Sequence, residues 1–178
     1  MPKRFKEEKT LILVKPDGVK RGLVGEIVKR IEQRGLKIIA LKMFWANEKD
    51  FTKHYSDAED NLRNMGQKTL ATYQKLVHGW IVEFMTSGPI IKMVIQGLHA
   101  VEMVRKLVGN TMPSQAEMGT IRGDFSVDSS VLANAQKRAI RNIVHASGNL
   151  AEAEHEISLW FTPDEIHVYT RAEEDIMF

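Results

Sequence analysis

The chain has 178 residues, 43% of them hydrophobic and 27% charged, with a net charge of +2 and no cysteine. That length suits one domain, residues 1–178, able to bury a core unaided, and the near-average composition suggests neither a disordered tail nor a membrane protein. The absence of cysteine excludes a disulfide framework and any thiolate metal site. No apolar run approaches the roughly 20 residues of a membrane span, and so slight a positive charge makes no case for binding nucleic acid. The basic start regains charge where a signal peptide would carry its apolar stretch, so a cytoplasmic address is expected.

Residues 10–15 form a short β-rich run that Pro16-Asp17-Gly18 stops as a turn. From Leu23 the apolar residues Val24, Ile27, Val28 and Ile31 keep helical spacing, with Gly35 placed to end that helix. Residues 36–45 read as a second strand. Helices are expected over 48–87, where Tyr73, Leu76, Val77, Trp80, Ile81 and Phe84 make an apolar stripe. Ser87-Gly88-Pro89 breaks it; a strand over 90–95 and a helix over 100–108 follow. Residues 109–128 read as a long loop, a length that is more often functional than idle. Beyond it the pattern predicts a helix over 130–141, a short strand over 142–145, a helix over 149–161 and a polar tail. This order implies an α+β sandwich, helices packed on an antiparallel sheet.

Taken singly, few residues declare a chemistry. Lys15 before Pro16-Asp17-Gly18 sits where loops build ligand sites, yet that turn needs no function to explain it. Arg105 can merely complement a helix dipole. Arg122, in Thr120-Ile121-Arg122-Gly123-Asp124, offers planar donors suited to a phosphate, or pairs with an aspartate at the surface. There is no P-loop. None of the six histidines shows a metal-ligand spacing, which argues against a zinc enzyme. His145 ends an apolar strand just before a helix whose amide groups suit an anion, and Glu156 in that helix either reaches the imidazole or faces solvent.

Read together the segments resemble the nucleoside diphosphate kinases. The likeness runs through Lys15-Pro16-Asp17-Gly18-Val19, Arg21-Gly22-Leu23-Val24-Gly25-Glu26-Ile27 and Ser87-Gly88-Pro89. It resumes at Gly119-Thr120-Ile121-Arg122-Gly123-Asp124-Phe125, Asn142-Ile143-Val144-His145-Ala146-Ser147 and His155-Glu156-Ile157-Ser158-Leu159-Trp160-Phe161. The resemblance implies a ferredoxin-like βαββαβ fold and transfer of the terminal phosphate of a nucleoside triphosphate to a diphosphate. His145 would carry the phosphate between the two half-reactions, with Glu156 orienting its ring. By the same likeness Lys15, Arg105, Thr111 and Arg122 contact phosphates, and Tyr55 lies beside the transferred group. Asn142 and Lys15 reach the ribose, while His54 and Ser147 are accessory. Mg²⁺ would ride on the nucleotide phosphates with no direct protein ligand. The chain would self-associate, a hexamer being favoured over a tetramer.

The chain departs from the family pattern in two helical insertions, near 57–76 and 129–140. The aromatic residue that stacks on the base is missing, and Val77 falls at its position, with Tyr73 or Trp80 as substitutes. The second insertion holds the basic stretch Gln136-Lys137-Arg138, whose place at a subunit boundary, a nucleotide entrance or the surface is open. A catalytically silent nucleotide-binding or scaffold module is the other reading, but it would have no reason to keep the whole phosphate-binding set.

Overall fold

The computed structural model describes residues 7–54, 68–172 and 174. Four strands, β1 (Glu8–Val14), β2 (Lys37–Phe44), β3 (Ile90–Gly97) and β4 (Val144–Ala146), form one sheet in the order β2-β3-β1-β4. Every neighbouring pair is antiparallel. A helix between β1 and β2 and another between β3 and β4 complete the ferredoxin-like βαββαβ arrangement. Strand β1 lies between β3 and β4, which explains its four consecutive fully buried residues Leu11, Ile12, Leu13 and Val14. A strand covered on both faces loses the apolar–polar alternation of a half-exposed one.

On one face, Ile12 and Val14 pack with Ile27 and Ile31 of α2 (Val24–Gln33) and with Val104 and Val108 of α5 (Ala100–Val108). On the other, Leu11 and Leu13 meet Phe51 of α3 (Glu48–His54), Met85 of α4 (Lys68–Thr86), and Ile157 and Trp160 of α8 (Leu150–Trp160). Each fully buried aliphatic side chain stabilises the fold by about 1.5–3 kcal/mol. Gly35, with φ of 84°, ends α2 as expected: its N–H reaches the Glu32 carbonyl and that of Leu36 reaches Ile31.

Several segments differ from the sequence-based expectation. Pro16-Asp17-Gly18 is not a turn but the start of a five-residue helix, α1 (Pro16–Lys20), whose first position proline suits because it has no N–H to satisfy. The expected loop at 109–128 contains a 3₁₀ turn at Pro113–Gln115 and a helix, α6 (Ile121–Phe125), begun by the Thr120 side chain accepting from Gly123 N–H. The helix expected over 130–141 stops early, as α7 (Ser130–Ala135). Asn142 and Ile143 precede β4 instead of belonging to it. The polar tail is pinned to the sheet edge, where His167 N–H donates to the Ile39 carbonyl and Lys37 holds Glu174 at 2.6 Å.

Candidate active site

Strand β4 delivers His145 to the edge of a cavity of about 600 Å³. Ile143, two residues earlier, has φ of 71°, which a β-branched residue adopts only under constraint. Val144 N–H reaches back to the Asn142 carbonyl at 2.8 Å, closing a strained γ-turn around Ile143. The Lys15-Pro16-Asp17-Gly18 segment holds it there. Asp17 Oδ2 accepts the Ile143 N–H at 3.1 Å, and Lys15 N–H donates to the Ile143 carbonyl at 2.7 Å. Gly18 leaves room, since a Cβ there would lie 3.0 Å from Ile143 Cγ2 and 3.1 Å from its oxygen. The motif that sequence reasoning could treat as a bland turn thus braces the histidine strand.

His145 Nε2 lies 2.8 Å from Glu156 Oε1. Glu156 is buried at 3% exposure, so the solvated helix-face reading fails. Burial works to raise its carboxyl, but the hydrogen bond and charge of His145, then His54 and Ser147, outweigh it and leave its pKa lowered. An ionised carboxylate only accepts, so Nε2 carries the hydrogen, and in the neutral ring that a nucleophile requires the lone pair lies on Nδ1. Ser147, fully buried, donates to Glu156 Oε2 at 2.6 Å and accepts Leu11 N–H, fixing the carboxylate from behind.

His54 does not line the cavity; it stacks edge-on against His145 at 4.7 Å between ring centroids, with Nε2 3.4 Å from Glu156 Oε1. Burial, then the neighbouring His145, pushes its pKa down to about 3, so it is neutral. Among the described residues His54, His145 and Glu156 bring ligand-type atoms within 4.8 Å of one another. The tautomer argues against a metal there. The Trp160 indole, a donor only, gives its hydrogen to His54 Nδ1 at 3.0 Å, which leaves the proton on Nε2 and no lone pair facing Glu156.

The cavity also gathers Lys15, Arg105, Thr111, Arg122 and Asn142, residues up to 127 apart in sequence. Lys15 Nζ donates to Asn142 Oδ1 at 2.7 Å, and Asn142 Nδ2 to the Thr111 carbonyl at 2.9 Å. Desolvation, then the Arg122 charge, lowers the Lys15 pKa to about 8 despite the opposing effect of Asp17. Arg122 is buried, its pKa lowered to about 10 by desolvation and then Arg105. It donates to the carbonyls of Gly109, Asn142 and Val144 at 2.9, 3.2 and 2.7 Å. The aspartate pairing that sequence left open goes elsewhere, since Asp124 binds Arg30. No Asp or Glu lines this cavity among the described residues. The arrangement is a nucleophilic imidazole beside a cationic, carboxylate-free hollow, suited to a polyanionic substrate.

Val77, Trp80, Ile81 and Phe84 of α4 supply an apolar wall, while Leu76 points out at 52% exposure. Tyr55 lies outside the described residues, as does the side chain of Tyr73. Sequence reasoning left the second insertion unassigned; Ala133, Arg138 and Ala139 from it line the cavity. Among the described residues no helix is long and apolar enough to cross a membrane.

A family model for nucleoside diphosphate kinase matches residues 8–166. A nucleoside diphosphate kinase of Pyrobaculum aerophilum is 47% identical over 178 residues, covering 89% of this chain and 97% of that protein. The solved Borrelia burgdorferi nucleoside-diphosphate kinase, a transition-state mimic with bound vanadate and ADP, has a TM-score of 0.84 at 40% identity, covering 94% of this chain and 95% of that one. A halophilic nucleoside diphosphate kinase from Halobacterium salinarum, in complex with CDP, gives 0.77 at 35% identity, covering 97% and 99%. The chain therefore belongs to the nucleoside diphosphate kinase family and is a phosphotransferase that passes the terminal phosphate of a nucleoside triphosphate to a nucleoside diphosphate.

Proposed function

We propose that His145 Nδ1 is the atom that carries the phosphate. Its lone pair attacks the terminal phosphorus of a bound triphosphate, an N–P bond forms as the bond to the bridging oxygen breaks, and the diphosphate leaves with that electron pair. A second diphosphate then attacks the phosphohistidine in reverse. The observation that carries this reading is the commitment of Nε2 to a buried, ionised Glu156, which leaves Nδ1 as the basic nitrogen beside a carboxylate-free cationic cavity. Glu156, steadied by Ser147, holds the ring in line and stabilises the charge it gains. His54 would act from behind, as a neutral brace for Glu156. Lys15, Arg105, Thr111 and Arg122 would bind and neutralise phosphate oxygens, the main work in phosphoryl transfer. Asn142 with Lys15 would hold the ribose, Val77 with Trp80 or Phe84 the base, and Tyr55 would stand beside the transferred group.

Mg²⁺, brought in on the nucleotide and with no direct protein ligand, would supply charge neutralisation for the phosphates. The cavity suits that division, because its described lining offers no carboxylate to compete for the ion. The family resemblance supports one domain over 1–178, a homo-oligomer with a hexamer favoured over a tetramer, and nucleoside di- and triphosphates as partners, while the absence of cysteine supports a cytoplasmic location.

Intact-mass measurement after brief exposure to ATP and Mg²⁺ tests the reading. One acid-labile phosphate, discharged by added GDP, is the expected result; folded protein that takes up none would overturn it.

The lowered Lys15 pKa gives a pH prediction. In free enzyme the side chain loses its charge as pH rises through about 8, so kcat/KM should fall across that range. Bound phosphates favour the charged form, so kcat should persist to higher pH. For stability the sign is opposite: the unfolded chain binds more protons between about 8 and the ordinary 10.5, so stability contributed by this group rises with pH through that window. Initial rates at low and saturating nucleotide, with urea melts of wild type and Lys15→Met on either side of pH 8, check both. A kcat/KM flat through pH 9 would remove Lys15 from the phosphate site.

A further inference from the structure

The segment from Asp128 to Arg141 is held by one buried carboxylate. Asp128, 6% exposed, accepts from Arg138 Nη1 at 2.6 Å and Nη2 at 3.0 Å. It also accepts the backbone N–H groups of Ser129 at 3.0 Å and Arg141 at 2.8 Å. Two ends of the segment are thereby tied to one side chain. Arg138 adds bonds to the Ala139 carbonyl at 2.9 Å and to Gln136 Oε1 at 2.7 Å, while the Ser129 hydroxyl accepts Leu132 N–H to begin α7. A forked guanidinium on a carboxylate fixes direction as well as distance.

This tie shapes the cavity beside His145. The segment presents Ala133, Ala139 and Ile140 to it, with the polar Ser130 and Asn134. The cations Lys15, Arg105 and Arg122 come from other elements, and Arg138, although it lines the hollow, already has its charge matched by Asp128. A small apolar surface with polar edges suits the face of a base and its sugar better than a phosphate chain.

We propose that Asp128 and Arg138 are positioning residues for the nucleoside half of the substrate: they hold residues 129–140 as a wall of the cavity, setting nucleotide affinity and not the rate at which phosphate moves to His145. The proposal rests on the reading that nucleotide occupies this cavity. In the Arg138→Met and Asp128→Asn variants KM for ATP should rise about tenfold or more with kcat within about threefold, the pattern of lost uniform binding. Phosphorylation by phosphoramidate, which has neither base nor sugar, should be unchanged. Arg138→Lys, keeping charge without the fork, should fall between. Amide hydrogen exchange of the wild type with and without ADP keeps the test independent of how the variants fold, with protection across 129–140 expected. Unchanged KM in both folded variants, or equal losses with phosphoramidate, overturns the proposal. So does ADP protection of 77–84 and 105–112 that leaves 129–140 untouched, whereas protection of none of these segments would count against the site reading itself.

Discussion

Replacing His145 with alanine is expected to end phosphate uptake from ATP while leaving the fold in place. The nucleophile of a covalent route has no substitute among its described neighbours: His54 keeps its lone pair on the Trp160 indole, and Glu156 is turned toward Ser147. Turnover should fall by on the order of 10⁴-fold or more, the scale seen when such a route loses its attacking group. The structural cost is small by comparison. His145 is a part-buried side chain on the short outer strand β4, and its removal deprives Glu156 Oε1 of one hydrogen bond. A stranded acceptor costs about 1–3 kcal/mol, softened here because the cavity admits water. Intact mass after ATP and a thermal melt in parallel give the check. A variant that still gains an acid-labile phosphate would place the carrier elsewhere; one that fails to melt cooperatively would mean that the imidazole is needed for the fold.

How much of this was legible in the sequence depends on the range of the interaction involved. Helix α5 and the core of β1 follow from periodicity and local composition, which need only neighbouring residues. The pattern around His145 placed an imidazole at a strand end with Glu156 as one candidate partner, and the family resemblance made it the nucleophile. The reason for Asp17 was hidden, because its bond to Ile143 N–H joins positions 126 apart and nothing local to either requires it. Ile143 itself looks like an ordinary strand residue, so the γ-turn that strains it leaves no mark in composition. The burial of Glu156 was equally unreadable. Leu150, Ala153, Ile157 and Trp160 set the apparent apolar face of α8, yet Leu150 is half-exposed and Glu156 is buried, because polar groups from β4 and α3 wait for that carboxylate. The second insertion shows helical composition and a basic stretch, and neither says which face turns toward a cavity. Its organising bond, between Asp128 and Arg138, is ten residues long in sequence and reads as surface charge until both partners are seen to be tucked in.

For Arg122→Ala the expected result is a double loss, in catalysis and in stability. A guanidinium acting only on phosphate would leave the free protein indifferent to its removal. Here three of its donors are spent on the carbonyls of Gly109, Asn142 and Val144, so the side chain ties the end of α5 to the γ-turn and to β4. A buried carbonyl left without a donor costs about 1–3 kcal/mol. The Asn142 oxygen keeps the Val144 N–H and is spared, but the Val144 and Gly109 oxygens lose this donor and the empty volume adds to the loss, so a stability loss of a few kcal/mol and a clear drop in melting temperature follow. The donors not spent on carbonyls, with the charge, remain for a phosphate; losing a preorganised donor of this kind lowers catalysis by about 10²–10³-fold. Arg122→Lys separates the two roles. A lysine keeps the charge but cannot reach three divergent carbonyls as a planar fork does, so it should recover part of the phosphate affinity without the full melting temperature. Melts of the free proteins and kcat/KM for ATP decide it. An alanine variant as stable as wild type would show that the carbonyl contacts carry no weight. A destabilised variant with undiminished kcat/KM would make Arg122 a clip for the His145 strand and nothing more.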